Sequence, residues 1–252
     1  MSQHERTEMM LGKNGLDRLR KARVAVFGVG GVGGFAVEAL ARAGIGKIDL
    51  IDSDRVSLSN INRQIIATHK TVGILKVNAM RERIAEINPD TEVRTFPIFF
   101  SEETAAAIRF SDYDYVIDAI DSVGAKLHLI TLAKECGTPI ISAMGAGGKL
   151  DPTAFRVSDI SKTTVCPLAR AVRLGLRKRG IHHLRVVYST EPPFSPLGEA
   201  PIEDSNGSKP KSPTEKRNPP ASISFVPSVM GLILAGEVIK DIARVKETEP
   251  KG

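Results

Sequence analysis

An α/β fold built on a mainly parallel sheet with helices on both faces is what this sequence of 252 residues predicts. Three observations carry it. Short apolar, β-branched runs alternate with stretches of helical periodicity through the first half of the chain, and such alternation calls for crossover helices covering both faces of a parallel sheet. A glycine-rich loop separates the first run from the first helical stretch. Acidic residues stand at the ends of strand-like runs, and ligands of parallel sheets gather beyond the carboxyl ends of their strands.

Taken in order, Arg23–Phe27 is a strand-like run followed by glycines, and residues 35–43 read as a helix stopped by Gly44. Lys47–Ile51 is the second strand. Lys76–Ile87 is amphipathic, with Pro89 just past its end. Glu92–Phe96 and residues 115–117 are strands, the latter ending in Asp118. A helix over 127–136 is closed by Gly137, and 139–143 forms a further buried strand. Beyond Gly148 the pattern changes: 155–157 and 185–188 look like an antiparallel pair flanking a basic helix over 167–179. The expected architecture is Rossmann-like, with a smaller C-terminal antiparallel extension. Residues 195–222 are poor in apolar side chains and carry Pro196, Pro201, Pro210, Pro213, Pro219 and Pro220. Too little surface is available there to offset ordering entropy, which predicts a mobile loop. Phe225–Ala243 then returns to the core as an apolar helix, so the whole chain, 1–252, is expected to form one domain.

Composition narrows the function. Hydrophobic residues at 42% and charged residues at 25% exclude collagen-like, coiled-coil and disordered chains. Aromatics are only 5% and Trp is absent, which argues against an extensive stacking surface for single-stranded nucleic acid. The net charge of +6 suits a polyanionic partner such as a nucleotide or RNA, or simple solubility. Two cysteines, Cys136 and Cys166, form no CxxC pair; a four-cysteine zinc site and a disulfide framework are excluded, in keeping with a reducing cytoplasm. The opening residues lack an apolar segment, so no signal peptide is expected. The longest apolar run, 229–236, falls far short of the roughly 20 residues that span a bilayer, and Glu237, Lys240 and Asp241 interrupt its helix.

Gly28-Val-Gly30-Gly31-Val-Gly33 fits G-x-G-x-x-G between a strand and a helix. Glycines allow the tight turn and let backbone N–H groups reach a phosphate. Asp52 ends the next strand, where an acid can accept ribose hydroxyls. The motif indicates a nucleotide without choosing between NAD and ATP. Polar residues further along the chain bear on that choice: Asp52-Ser-Asp54-Arg-Val-Ser-Leu-Ser-Asn60-Ile-Asn62-Arg63-Gln64, then Lys76, then Asp121 at the same sheet edge. Two cations and a carboxylate beside a phosphate loop suit a triphosphate with Mg²⁺, Asp121 being the metal candidate. Arg63 or Lys76 alone would read as a solvated helix face; the pair in this context reads as a phosphate grip. No G-x-x-x-x-G-K-[ST] sequence is present, so the chain is not a P-loop enzyme.

These motifs, with Asp118-x-x-Asp121, resemble the ubiquitin-activating-enzyme-like superfamily that includes ThiF and MoeB. Within it, Val116-Ile-Asp-Ala-Ile-Asp-Ser122, Gly145-Ala-Gly-Gly-x-x-Asp151-Pro-Thr and Tyr188-Ser-Thr-Glu191 are similar to the group of tRNA threonylcarbamoyladenosine dehydratases (TcdA, also CsdL). The resemblance implies that Asp52 binds ribose, that Asn60, Arg63 and Lys76 contact phosphates with Gln64 supporting them, and that Asp121 binds Mg²⁺. Gly28, Gly30, Gly31, Gly33 and Asp54 complete the nucleotide site. Arg6 matches an arginine that reaches the ATP of the other subunit, which implies a homodimer; on its own it reads equally as an N-terminal surface charge. The implied reaction is adenylation of the threonyl carboxylate of threonylcarbamoyladenosine beside the tRNA anticodon. Ring closure by a carbamoyl nitrogen then expels AMP, with no protein nucleophile required. A sulfur-relay protein and a monovalent cation are further ligands this resemblance leaves open.

Arg170, Arg173 and Arg177 fall on one face of the basic helix, with Lys178, Arg179, His182, His183 and Arg185 extending the charge. That stripe is the candidate RNA surface, against the plainer reading of a solvated helix face. Lys209, Lys211, Lys216 and Arg217 in the proline-rich stretch are a weaker candidate. Cys166 precedes Pro167 at a helix start, where a thiolate is stabilised, but a structural role is the expectation; Cys136 is expected to be a packed small hydrophobe. The competing functions are an adenylating enzyme for a ubiquitin-like sulfur carrier, which usually carries two CxxC pairs, an NAD-dependent oxidoreductase resting on the glycine loop alone, and an inactive nucleotide- or RNA-binding module.

Overall fold

The computed structural model describes residues 2–194 and 221–245. Residues 195–220 lie outside the described residues, so most of the predicted mobile loop, with its four basic residues, does too. Among the described residues seven strands form one sheet in the order β3-β2-β1-β4-β5-β7-β6. They are β1 Arg23–Phe27, β2 Lys47–Ile51, β3 Glu92–Phe96, β4 Tyr115–Asp118, β5 Ile140–Ala143, β6 Phe155–Asp159 and β7 Arg185–Ser189. Every neighbouring pair is parallel except β6 with β7. The antiparallel pair is therefore the edge of the main sheet, since β7 lies parallel to β5.

Among the described residues six α-helices surround the sheet: α1 Glu5–Lys21, α2 Gly33–Ala43, α3 Lys76–Ile87, α4 Val123–Glu135, α5 Pro167–Arg177 and α6 Phe225–Ala243. Strand alternation divides the core in two. Val24 and Val26 of β1 join Leu40, Met80 and Leu234 beneath α2, α3 and α6. Ala25 and Phe27 join Leu129, Val172 and Leu176 beneath α4 and α5. All five residues of β1 are buried, as expected of a central strand covered on both faces.

Helix α1 is absent from the sequence reading. Its stretch is polar, only Gly15, Leu16 and Leu19 are buried, and Gly12 breaks the helical geometry at φ 72° and ψ 163°. It is held by tertiary contact: Arg18 donates to the Ala243 carbonyl at the end of α6. Helix α4 begins four residues before the predicted start, because Val123 and Gly124 are poor helix formers that packing overrides. Helix α5 stops at Arg177, ahead of Gly180 at φ +73°. Among the described residues no helix is long and apolar enough to cross a membrane.

Helix α6 lies across the start of α2 at backbone distance. A Cβ at Gly231 would stand 2.2 Å from the Val32 carbonyl oxygen and 3.0 Å from the Ala36 nitrogen. At its other end Arg185 of β7 pairs with Glu237 and Asp241, and the Tyr115 hydroxyl donates to Asp241 at 2.9 Å. Gly231→Ala should therefore cost about 1–3 kcal/mol by forcing the helices apart; a urea midpoint matching the wild type would disprove the contact.

Candidate nucleotide site at the carboxyl edge

The strand order reverses between β1 and β4, the usual position of a ligand crevice in open α/β sheets. The glycine loop occupies that point. Gly28 has φ +87°, and a Cβ there would meet the Ala119 carbonyl at 2.7 Å. At Gly33, the first residue of α2, a Cβ would fall 1.8 Å from the Gly28 carbonyl. The turn thus closes on itself and on the end of β4, where no side chain fits. No side chain caps α2, which leaves the positive end of its dipole for an anion.

The segment after β2 lies over this loop. Gly30 faces the Gln64 amide nitrogen, and Gly31 faces Arg63 and Pro227. Asn60 is buried; its side-chain oxygen accepts from the Ser57 N–H at 3.2 Å, and its carbonyl accepts from the N–H groups of Arg63 and Gln64. That turn aims Arg63, which donates to the Ser59 carbonyl at 3.0 Å and to Asn62 at 2.8 Å. Gln64 is 6% exposed, and its Oε1 has no hydrogen-bond partner among the described residues. This buried acceptor is left to a donor such as a ligand hydroxyl, an amino group or a water, and not to a phosphate oxygen.

Asp52 accepts from the Val29 N–H of the loop at 2.7 Å and from the Asp54 N–H at 2.8 Å. Burial pushes its carboxyl up, against the pull of Lys76 and of these two N–H groups. Lys76 opens α3 and is buried, with Nζ 2.7 Å from Asp54. A cation at a helix N-terminus opposes the macrodipole, and here Asp54 offsets it. Asp54, predicted among the nucleotide contacts, is the counter-ion of Lys76 and keeps an exposed carboxylate.

Asp118 and Asp121 divide their work. Asp118 is wholly buried and accepts from Lys126 Nζ at 2.7 Å, Ser142 Oγ at 2.5 Å and the Ile120 N–H at 3.1 Å. Lys126, itself fully buried, also donates to Ser142 and to the Ala143 carbonyl. Sequence reading missed Lys126; its signal was a lysine on the apolar face of a helix. The network ties β4, β5 and α4 together and fixes the turn that carries Asp121, which is exposed just before α4. Among the described residues no group of three or more His, Cys, Asp and Glu could hold a metal, so Mg²⁺ at Asp121 would have to arrive with phosphate oxygens, as this ion commonly does.

Beyond β5, Gly148 pairs with both sides of the undescribed stretch: its N–H donates to the Ala221 carbonyl, and its carbonyl accepts from the Phe194 N–H, each at 2.6 Å. On α5, Arg170, Arg177, Lys178 and Arg179 are exposed while Val172 and Leu176 are fully buried. Arg173 departs from the predicted stripe: it is half-buried and donates to the Thr163 carbonyl at 2.9 Å and hydroxyl at 2.6 Å, pinning the entry to α5. His182 and His183 are exposed, as expected of surface histidines, with His183 beside Asp159. Cys136 is exposed rather than packed, because it caps α4 at the surface; Cys166 is buried at the N-cap of α5. Arg6 is exposed near the start of α1.

A glycine cradle at the switch point, with Arg63 and Lys76 beside it and Asp121 at the next strand end, defines a nucleotide-binding α/β protein equipped for polyphosphate chemistry. The chain belongs to the ThiF family, whose profile matches residues 4–252. A Bacillus subtilis (strain 168) tRNA threonylcarbamoyladenosine dehydratase is 45% identical over 97% of this chain and 96% of its own length. The Escherichia coli (strain K12) enzyme of that name is 39% identical over 78% of this chain and 76% of its own. The solved structure of E. coli TcdA in complex with ATP superposes with a TM-score of 0.82 at 34% identity, covering 95% of each chain.

The raised value of Asp52 gives a signed expectation. Its acid form is accommodated more readily in the fold than in the unfolded chain, so its contribution to stability is complete below the ordinary aspartate range and is lost as pH rises through the raised value. Asp52→Asn removes that loss. The stability of wild type relative to the variant should fall from acid to neutral pH in parallel denaturation series, while ATP affinity of the variant at neutral pH is reduced; a pH-independent difference would refute the burial effect.

Proposed function

We propose that this protein is an ATP-dependent dehydratase that cyclises threonylcarbamoyladenosine next to the tRNA anticodon, with the whole chain acting as one adenylating domain. The observation that carries the reading is the Arg63–Lys76–Asp121 set around the glycine cradle, in a chain similar along its whole length to enzymes named for this reaction. A threonyl carboxylate oxygen attacks the α-phosphorus of ATP, and the bond to the bridging oxygen of pyrophosphate breaks. The carbamoyl nitrogen then attacks the acyl carbon, AMP departs with the bonding pair, and the nitrogen's proton passes to solvent. Arg63 and Lys76 hold the phosphates and offset the charge that grows on them. Bound Mg²⁺ would neutralise the leaving pyrophosphate, held on the protein side by Asp121.

A homodimer fits the exposed half of α1, where Met9 and Met10 are each 83% exposed beside Arg6, the residue read as completing a neighbouring subunit's ATP site. A cytoplasmic setting accords with a tRNA substrate. Adenylation of a sulfur carrier ranks second, because neither cysteine stands in a CxxC pair. Incubation with ATP, Mg²⁺ and tRNA bearing the modified nucleoside should release AMP and pyrophosphate and lower the nucleoside's mass by one water; ADP as product, or AMP release driven by a carrier tail and not by tRNA, would overturn the reading. Asp121→Ala should cut AMP formation about 100-fold or more with an unchanged melting midpoint, and near-normal turnover would remove its metal role.

The exposed basic end of α5 is the proposed RNA contact, with Arg170 and Arg177 replacing Arg173 at its centre. Arg170→Glu with Arg177→Glu should weaken tRNA binding and flatten its salt dependence by about one to two logarithmic units of slope, leaving ATP binding intact; an unaltered slope would exclude this face.

A further inference from the structure

The carboxyl ends of β5 and β7 hold a buried ammonium that the nucleotide site does not use. After β5 the chain runs Met144-Gly145-Ala146-Gly147-Gly148-Lys149, and Lys149 is only 4% exposed. Its ammonium donates to the backbone carbonyl of Glu191, just past β7. The Glu191 carboxylate is engaged elsewhere: it accepts from the Leu150 N–H at 3.0 and 3.2 Å and from the Asp151 N–H at 3.0 Å. Among the described residues no carboxylate lies within ion-pairing distance of Lys149, whereas the other two buried lysines each have one, Lys126 with Asp118 and Lys76 with Asp54, both at 2.7 Å.

A buried charge that has no counter-ion among the described residues is costly, and a bound anion would supply the partner. The surroundings suit an anion. Burial pulls the Lys149 ammonium down despite its neighbours Cys166 and Glu191. The glycine run lies against the start of α5: a Cβ at Gly145 would touch Cys166 Sγ at 3.5 Å. On the far side of Cys166 a cleft of about 590 Å³, which Lys149 itself does not line, is bordered by Thr164–Pro167, Arg170 and Arg173 and by no acidic side chain. β5 is the strand next to β4, whose end carries Asp121.

We propose that Lys149 binds the substrate carboxylate, the acid that becomes joined to AMP, and so orients it toward the nucleotide held at β1 and β4. This rests on the reaction proposed above, which brings a carboxylate to this edge of the sheet. Lys149 holds the acid by charge and hydrogen bonding and takes no part in bond exchange.

The test uses the full chain and two probes: tRNA carrying threonylcarbamoyladenosine, and the same tRNA after amidation of that carboxylate. Wild-type protein without ATP should prefer the free acid. Lys149→Met should shrink that preference about tenfold or more and lower kcat/KM for the modified tRNA about 100-fold, while Lys149→Arg restores part of both. ATP affinity and the melting midpoint should hold in each variant. A preference that survives in Lys149→Met overturns the inference. So does a joint fall in ATP affinity, melting midpoint and rate that Lys149→Arg does not rescue, since that pattern marks a lysine that only braces the loop. Wild-type protein that prefers the acid yet releases no AMP would count against the dehydration reading instead, leaving the binding role of Lys149 supported.

Discussion

The contact on which the rest of the molecule depends is the one between the glycine turn and the end of β4. Two peptide carbonyls, those of Ala119 and Gly28, occupy the space that side chains at positions 28 and 33 would need. This brings the first turn of α2 directly over the crevice between β1 and β4. A bulkier turn would push α2 outward and, with it, α6, which rests on the Val32 carbonyl through Gly231. Phosphate recognition and helix packing are thus two results of the same steric constraint.

Around that cradle each cation is held in a different manner, and the manner fits the work assigned to it. Lys126 is locked inside the protein by Asp118 and Ser142, and its charge never meets a ligand. Lys76 is held by one exposed acid, Asp54, and Arg63 only by neutral oxygens. The gradient from fully neutralised to weakly tethered runs from the interior toward the crevice. On the reading proposed above, Lys76 and Arg63, which would meet the polyphosphate, are neutralised less than Lys126.

Much of this was legible in the sequence, for physical reasons. Arg23–Phe27, Lys76–Ile87, Glu92–Phe96 and Phe225–Ala243 have observed bounds equal to those predicted, because their apolar periodicity agrees with where they are buried. The glycine motif and the acids at strand ends point to the sheet edge at which the strand order reverses. Helix α1 was illegible, because it is polar, kinked at Gly12 and secured by contact with α6 rather than by its own pattern. Arg173 looked like part of a surface stripe because helical spacing reports direction, not partners; only the fold reveals that Thr163 waits there. Lys126 and Lys149 were hidden for a related reason: lysines are rarely fully buried, so sequence alone assigns them to solvent.

Gly148 offers both of its backbone groups to the chain on either side of residues 195–220, one to Phe194 and one to Ala221. Phe194 and Ala221, the described residues that flank this stretch, are therefore both held by one residue. With those two residues fixed at Gly148, the entropic cost of joining them through the intervening chain grows only slowly with the number of residues between.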